Sequence, residues 1–119
     1  MSPTGTAAFF DSYQAALLDR DAPRIATMYA VPGLILFPGS AVAVSDPAQT
    51  EHFFAASFGQ YEGVTTVDHT LTILAEASHS VWADVTWSYD GAPRERFCYQ
   101  LVDSPDGLQI AVLTPLDLG

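Results

Sequence analysis

Apolar side chains recur at helical spacing over residues 7–20, where Phe9, Phe10, Tyr13, Ala16 and Leu17 fall on one stripe. Asp19-Arg20-Asp21 breaks the stripe. Asp21 can accept from the free N–H groups of a second helix, with Pro23 in its first turn, where a missing N–H costs nothing. Ile25, Met28 and Tyr29 give that helix an apolar face, and Pro32-Gly33 is expected to end it. Leu34–Phe37, a Pro38-Gly39-Ser40 turn and Ala41–Val44 read as a short hairpin. Asp46-Pro47-Ala48-Gln49 then opens a third helix, with an Asp cap, Pro at the first helical position and Gln placed to close a capping box. It is expected to reach Gly59 or Tyr61 with Phe54, Phe58 and Tyr61 on its buried side and Phe53 flanking.

After Gly63 the apolar period falls from that of a helix to that of a strand. Strands are expected over Thr65–Ala75, Ser80–Tyr89, Arg94–Val102 and Leu108–Thr114, joined by tight links at Ser78-His79, Asp90-Gly91-Ala92-Pro93 and Ser104-Pro105-Asp106-Gly107. Short links between long strands require antiparallel neighbours. Helices segregated from strands give an α+β layer packing. Alternation puts Val67, His69, Leu71 and Ile73 on one face of the first long strand, and Val81, Ala83, Val85, Trp87 and Tyr89 on the apolar face of the second. Trp82, Asp84, Thr86 and Ser88 take the other face. Ile110, Val112 and Thr114 share a face of the last strand. The third strand is apolar on both sides, with Phe97, Tyr99 and Leu101 on one and Cys98, Gln100 and Val102 with Arg96 on the other. Helices can cover one side, and a second subunit the other.

Charge narrows the partners. The chain carries net charge −10 and every basic residue is an arginine: Arg20, Arg24, Arg94 and Arg96. Such a chain is repelled by phosphate backbones and by anionic membrane surfaces, which argues against nucleic-acid and membrane partners. Hydrophobic residues at 49% against 15% charged feed a core in one domain over residues 1–119. Cys98 is the single cysteine, so no internal disulfide forms, and a reducing, cytoplasmic setting is expected. The opening residues lack a positively charged, apolar leader pattern.

The order of elements resembles the nuclear-transport-factor-2-like superfamily, which also holds ketosteroid isomerases, SnoaL-like polyketide cyclases and scytalone-dehydratase-like enzymes. The likeness covers nearly the whole chain and is carried best by Phe10 to Ser40, FDSYQAALLDRDAPRIATMYAVPGLILFPGS, which is similar in spacing to the opening of bacterial ketosteroid isomerases. It implies a cone-shaped, cystatin-like α+β roll in which three N-terminal helices pack on a curved antiparallel sheet. It also implies roles. The oxyanion-holding tyrosine corresponds to Tyr13, the base aspartate to Phe37, and the second oxyanion acid to Gln100, or to Cys98 if the register slips by two. Phenylalanine has no proton to exchange, which argues against steroid isomerisation.

The cone would enclose Tyr13, Leu17, Met28, Tyr29, Phe37, Phe54 and Phe58 from the first half of the chain. His69, Val85, Trp87, Tyr89, Gln100 and Val112 would complete the wall. An apolar wall with few polar groups is the usual composition of a small-molecule site. No carboxylate falls on the strand faces assigned inward above. His69 is then the candidate general base near neutral pH, with Tyr13 or Gln100 holding a ligand oxygen. Arg96 could pair with a ligand, with Glu95 or with Asp84, and Cys98 has no activating base near it in sequence. No cofactor or metal is implied, because His52, His69 and His79 fall in a helix, a strand and a turn without ligand spacing.

Two readings of function follow. One is a SnoaL-like pocket protein for a compact apolar or aromatic ligand, with lyase, isomerase or cyclase chemistry if it is catalytic. The other is a non-catalytic binding or assembly module whose cone is filled by its own side chains. A void of roughly 300 Å³ favours the first, and a packed interior the second. A homodimer is expected through the convex sheet face near Trp82. A protein-binding adaptor, a third possibility, would need a large exposed apolar patch elsewhere.

Overall fold

A computed structural model of the chain describes residues 5–37, 39–105 and 107–118, without the side chain of Gln60. Pro38 and Asp106, both read as turn residues, lie outside the described residues.

The first helix, α1, spans Thr6–Leu18 and buries Phe10, Tyr13 and Ala16 as the stripe requires. Asp21 caps α2 (Ala22–Thr27), accepting from the Arg24 backbone N–H at 3.2 Å. This helix is shorter than its apolar pattern suggests. Tyr29, expected on its face, instead opens strand β1 (Tyr29–Phe37), where it pairs with Ile110. The Ile110 N–H donates to the Met28 carbonyl at 2.8 Å, so sheet pairing captures the chain before the helical period can continue. Pro32-Gly33 therefore lies inside a strand. Strand β2 (Ser40–Val44) pairs back on β1, and α3 (Pro47–Ser57) follows with both halves of the Asp46/Gln49 capping box formed. A short 3-10 helix, Phe58–Tyr61, extends α3.

Four long strands complete the fold: β3 (Val67–Glu76), β4 (Ser80–Tyr89), β5 (Ala92–Ser104) and β6 (Gly107–Pro115). They join the first hairpin in one sheet of order β2-β1-β6-β5-β4-β3, open at both edges. Every pairing is antiparallel except β1 with β6, which is parallel. The chain between those two strands runs through α3 and the whole meander, so no tight turn forces the antiparallel sense there.

The helices cover the face that carries the odd-numbered residues of β4, from Val81 to Tyr89, all buried. Phe10 sets its ring 5.1 Å from Tyr99 and 6.5 Å from Trp87, and Tyr13 lies 5.7 Å from Trp87. These edge-on and tilted contacts are the preferred geometries for aromatic pairs. Cross-strand register fixes the opposite face: Trp82 stands beside Gln100, Asp84 beside Cys98 and Thr86 beside Arg96, all half-buried.

Two residues assigned inward belong to that opposite face. Gln100 pairs with Trp82 on one side and Val112 on the other. Alternation alone put Val112 with Ile110, but the β5–β6 register shifts between Gln100 and Leu101, leaving Ala111 as an extra residue on β6. One inserted residue reverses the facing of everything beyond it. Leu113, opposite Tyr99, is the buried residue instead.

Gly33 is fixed by space. A Cβ there would lie 2.6 Å from the Ala30 carbonyl oxygen and 3.1 Å from that of Ala111. Both obstacles are backbone at the irregular β1–β6 pairing, which has no rotamer through which to yield. Gly33→Ala is expected to lower unfolding free energy by about 1–3 kcal/mol, as overpacking does. Chemical denaturation checks it, and an unchanged midpoint would show that the Ala30 and Ala111 carbonyls do not crowd this position.

Candidate functional site

Between the helices and the covered sheet face lies a cavity of about 30 Å³. Tyr13 and Leu17 of α1 and Phe37 of β1 line it. Phe53, Phe54 and Ser57 of α3 add to the wall, as do Phe58 and Tyr61 of the 3-10 helix. The sheet contributes Trp87, Tyr89, Glu95, Phe97, Tyr99 and Leu113. A second cavity of about 20 Å³ shares Leu17, Phe58, Tyr61 and Tyr89 with it. The larger hollows, between β2 and α3 and beside the start of α1, are surface grooves open to solvent.

Of the wall expected from sequence, Tyr13, Leu17, Phe37, Phe54, Phe58, Trp87 and Tyr89 do line the cavity. Tyr29 and Val85 are buried outside its lining, and Met28 faces the outer groove beside Phe9. Gln100 and Val112 are on the far face, as described. Phe37, at the position that corresponds to a base in the isomerases, packs between Phe97 and Phe53, with ring centroids 5.5 Å from each.

Glu95 is the residue that sequence reasoning missed, and it overturns the expectation that no carboxylate faces inward. It stands opposite Trp87 in the β4–β5 register and on the same side of β5 as Phe97 and Tyr99. The Tyr61 hydroxyl donates to its two carboxylate oxygens at 2.9 and 3.0 Å, and the Tyr89 hydroxyl to Oε1 at 2.5 Å. The Phe97, Tyr99, Leu101 alternation, extended two residues toward the N-terminus, would have found it. Arg96 is turned to the other face, where it holds Asp84 through Nε at 2.9 Å and Nη2 at 2.6 Å and keeps that carboxyl below its usual range.

Two further buried hydrogen bonds involve residues of the wall. The Tyr13 and Tyr29 hydroxyls meet at 2.6 Å, and the Trp87 indole N–H donates to the Tyr99 hydroxyl at 2.9 Å. Burial raises the pKa of all three of these tyrosines well above the ordinary value. Burial, and after it the nearby Glu95 charge, raises Tyr61 and Tyr89 as well.

His69 lies opposite Trp87, on the covered face as expected, with ring centroids 5.1 Å apart. It is outside the cavity lining. Its Nδ1 meets Gln14 Oε1 at 2.5 Å, which ties β3 to α1, and Nε2 is 4.0 Å from Asp11. Burial lowers its pKa, against the opposing charges of Asp11 and Asp68. Burial likewise pushes the Cys98 thiol up, away from a reactive thiolate. Among the described residues no group of three or more His, Cys, Asp or Glu side chains is placed to hold a metal ion. No helix among them is long and apolar enough to cross a membrane.

The model of a family described as "NTF2-like protein (DUF6841)" matches residues 5–117, and the chain belongs to that family. No curated protein matches it. Among solved structures it is similar to Aln2 from a Streptomyces species, at 19% identity and TM-score 0.68 over 98% of this chain and 92% of that one. It is also similar to a domain of unknown function with a cystatin-like fold from Nostoc punctiforme, at 14% identity and TM-score 0.71, covering 97% of this chain and 78% of that one. A de novo designed protein with a curved β-sheet aligns at 9% identity and TM-score 0.67, over 94% of this chain and 99% of the design. At such identities the likeness shows the fold, which is the NTF2-like, cystatin-like α+β fold.

All five tyrosines of the chain thus have raised pKa values. An acid whose folded-state pKa is raised stabilises the fold fully below its unfolded value and loses that contribution as pH rises above it. Spectrophotometric titration should therefore show no tyrosinate in the folded protein around pH ~10, where free tyrosine ionises. Ionisation should come only at higher pH, together with unfolding. A tyrosine titrating normally while the far-ultraviolet spectrum stays native would contradict this.

Proposed function

We propose that this NTF2-like chain is a small-molecule pocket protein that takes a compact apolar or aromatic ligand between the helices and the covered sheet face, with the Glu95 carboxylate as the polar anchor. Glu95 itself carries the reading. A carboxylate turned toward aromatic rings costs free energy unless it is paired. A core selected for stability alone is served as well by an apolar side chain there. The wall around it has the aromatic, sparsely polar composition of a ligand site.

Binding requires the cavity to grow, because about 30 Å³ is far below a ligand site. The shared wall supplies the means. Phe58 and Tyr61 sit on the short 3-10 helix and are half-buried, and their displacement joins the two small cavities. If the ligand is turned over, Glu95 is the base and Tyr13 the hydroxyl that steadies developing charge, which suits lyase, isomerase or cyclase chemistry. His69 stands outside the lining and acts in docking α1. The second reading, a non-catalytic module with a filled core, is favoured by the same small volume.

The open sheet face, with half-buried Trp82 between Gln100 and Ala75, suits a second copy of the chain, and the reading includes a homodimer in a reducing, cytoplasmic setting. Native mass spectrometry of protein purified from its own host reads both features at once. A retained compact ligand on a dimer is expected, and Glu95→Gln should weaken ligand retention about tenfold, the worth of a hydrogen bond to a charged group. A folded protein that retains nothing and is unmoved in thermal shift by compact aromatic compounds would leave the filled-core module. A monomer at micromolar concentration would remove the dimer.

A further inference from the structure

The direction of one hydrogen bond sets the direction of another. An indole N–H can only donate, so in the Trp87–Tyr99 pair the tyrosine oxygen is the acceptor. The Tyr99 hydroxyl proton is therefore left to donate elsewhere. Among the described residues no side chain or carbonyl takes it. The Tyr13–Tyr29 contact involves neither residue of this pair. Tyr61 and Tyr89 are both turned to Glu95. Tyr99 is 1% exposed, so bulk solvent does not satisfy the proton either. Buried donors without acceptors are rare and costly. Tyr99 lines the small cavity together with Tyr13, Tyr61 and Glu95.

We propose that the Tyr99 hydroxyl donates into the cavity, which is a site for one oxygen atom: a water in the free protein, and the oxygen of an uncharged ligand in the complex. The volume, about 30 Å³, admits a water and little more. Glu95, on the same wall, sets the sign of what can enter. A carboxylate or phosphate beside it is repelled, whereas a ketone, alcohol or phenol presents an acceptor oxygen without the charge. The ligand class is thus narrowed from a compact apolar molecule to a compact neutral one bearing a carbonyl or hydroxyl oxygen. This narrowing rests on the pocket reading above, but the water site does not.

Two measurements separate the parts. A crystal structure of the free, full-length protein should place an ordered water within hydrogen-bond distance of Tyr99 Oη. A Tyr99 hydroxyl that donates to a protein group, with no solvent beside it, would overturn the proposal. The second measurement titrates phenol and toluene, which differ by the oxygen, followed by ligand-induced chemical shifts. Phenol should bind about tenfold tighter than toluene, and the preference should fall to within about twofold in Tyr99→Phe, which removes only the donor. That variant leaves the Trp87 N–H unpaired and is measured below its own unfolding transition. If it does not fold, the wild-type preference together with the wild-type crystal structure decides the matter. Equal binding of phenol and toluene to the wild type would overturn the ligand half. Binding of neither compound would count against the pocket reading, and the crystal structure would still decide the water site.

Discussion

A carboxylate set among aromatic rings is tolerated only when its lone pairs are met, and the way Glu95 is met organises this end of the molecule. Tyr89 reaches it from the neighbouring strand and Tyr61 from the short helix that follows α3. Those two hydroxyls lower the cost of turning the carboxylate inward, and the Tyr61 bond also ties the short helix to the β4–β5 hairpin, 34 residues further along the chain. Tyr61 carries a further tie, since its backbone carbonyl accepts from Arg20 Nη2 at 2.8 Å at the end of α1. Polar contacts from α1's end, the short helix, β4 and β5 thus meet at one side of the aromatic-lined cavity.

Two more polar pairs lie among the buried rings. Tyr13 and Tyr29 share one hydrogen bond between α1 and β1, and the Trp87 N–H is met by the Tyr99 oxygen across β4 and β5. The first pair ties a helix to a strand, and the second links strands that the backbone ladder already holds in register. On the uncovered face the Arg96–Asp84 fork and the Arg96 contact to the Asp117 carbonyl hold β4, β5 and the C-terminal segment together.

Much of the fold was legible in the sequence because its signals are local. The Asp46-Pro47-Ala48-Gln49 capping box, the Asp21 cap, the α1 stripe and the strict alternation of β4 each state their structure within a few residues. What was misread depends on distant partners. Tyr29 sits at helical spacing but is claimed by Ile110 some eighty positions on, and Val112 is reversed by one extra residue in β6 that alternation cannot foresee. The site was legible as a set of aromatic wall residues, since face assignment on β4 held. Its polar anchor was not, because Glu95 lies where β5 was expected barely to have begun, beside a register shift between Trp87 and Ser88. A charged residue at a strand's end reads as solvent-facing by default, and only the rest of the strand's alternation argues otherwise.

The most direct test of the account is a double-mutant cycle on the unfolding free energies of Tyr61→Phe, Glu95→Gln and the combined variant. If the carboxylate faces inward and is held by that hydroxyl, the two substitutions should couple by about 1 kcal/mol. Strictly additive effects would place Glu95 in solvent and contradict the arrangement.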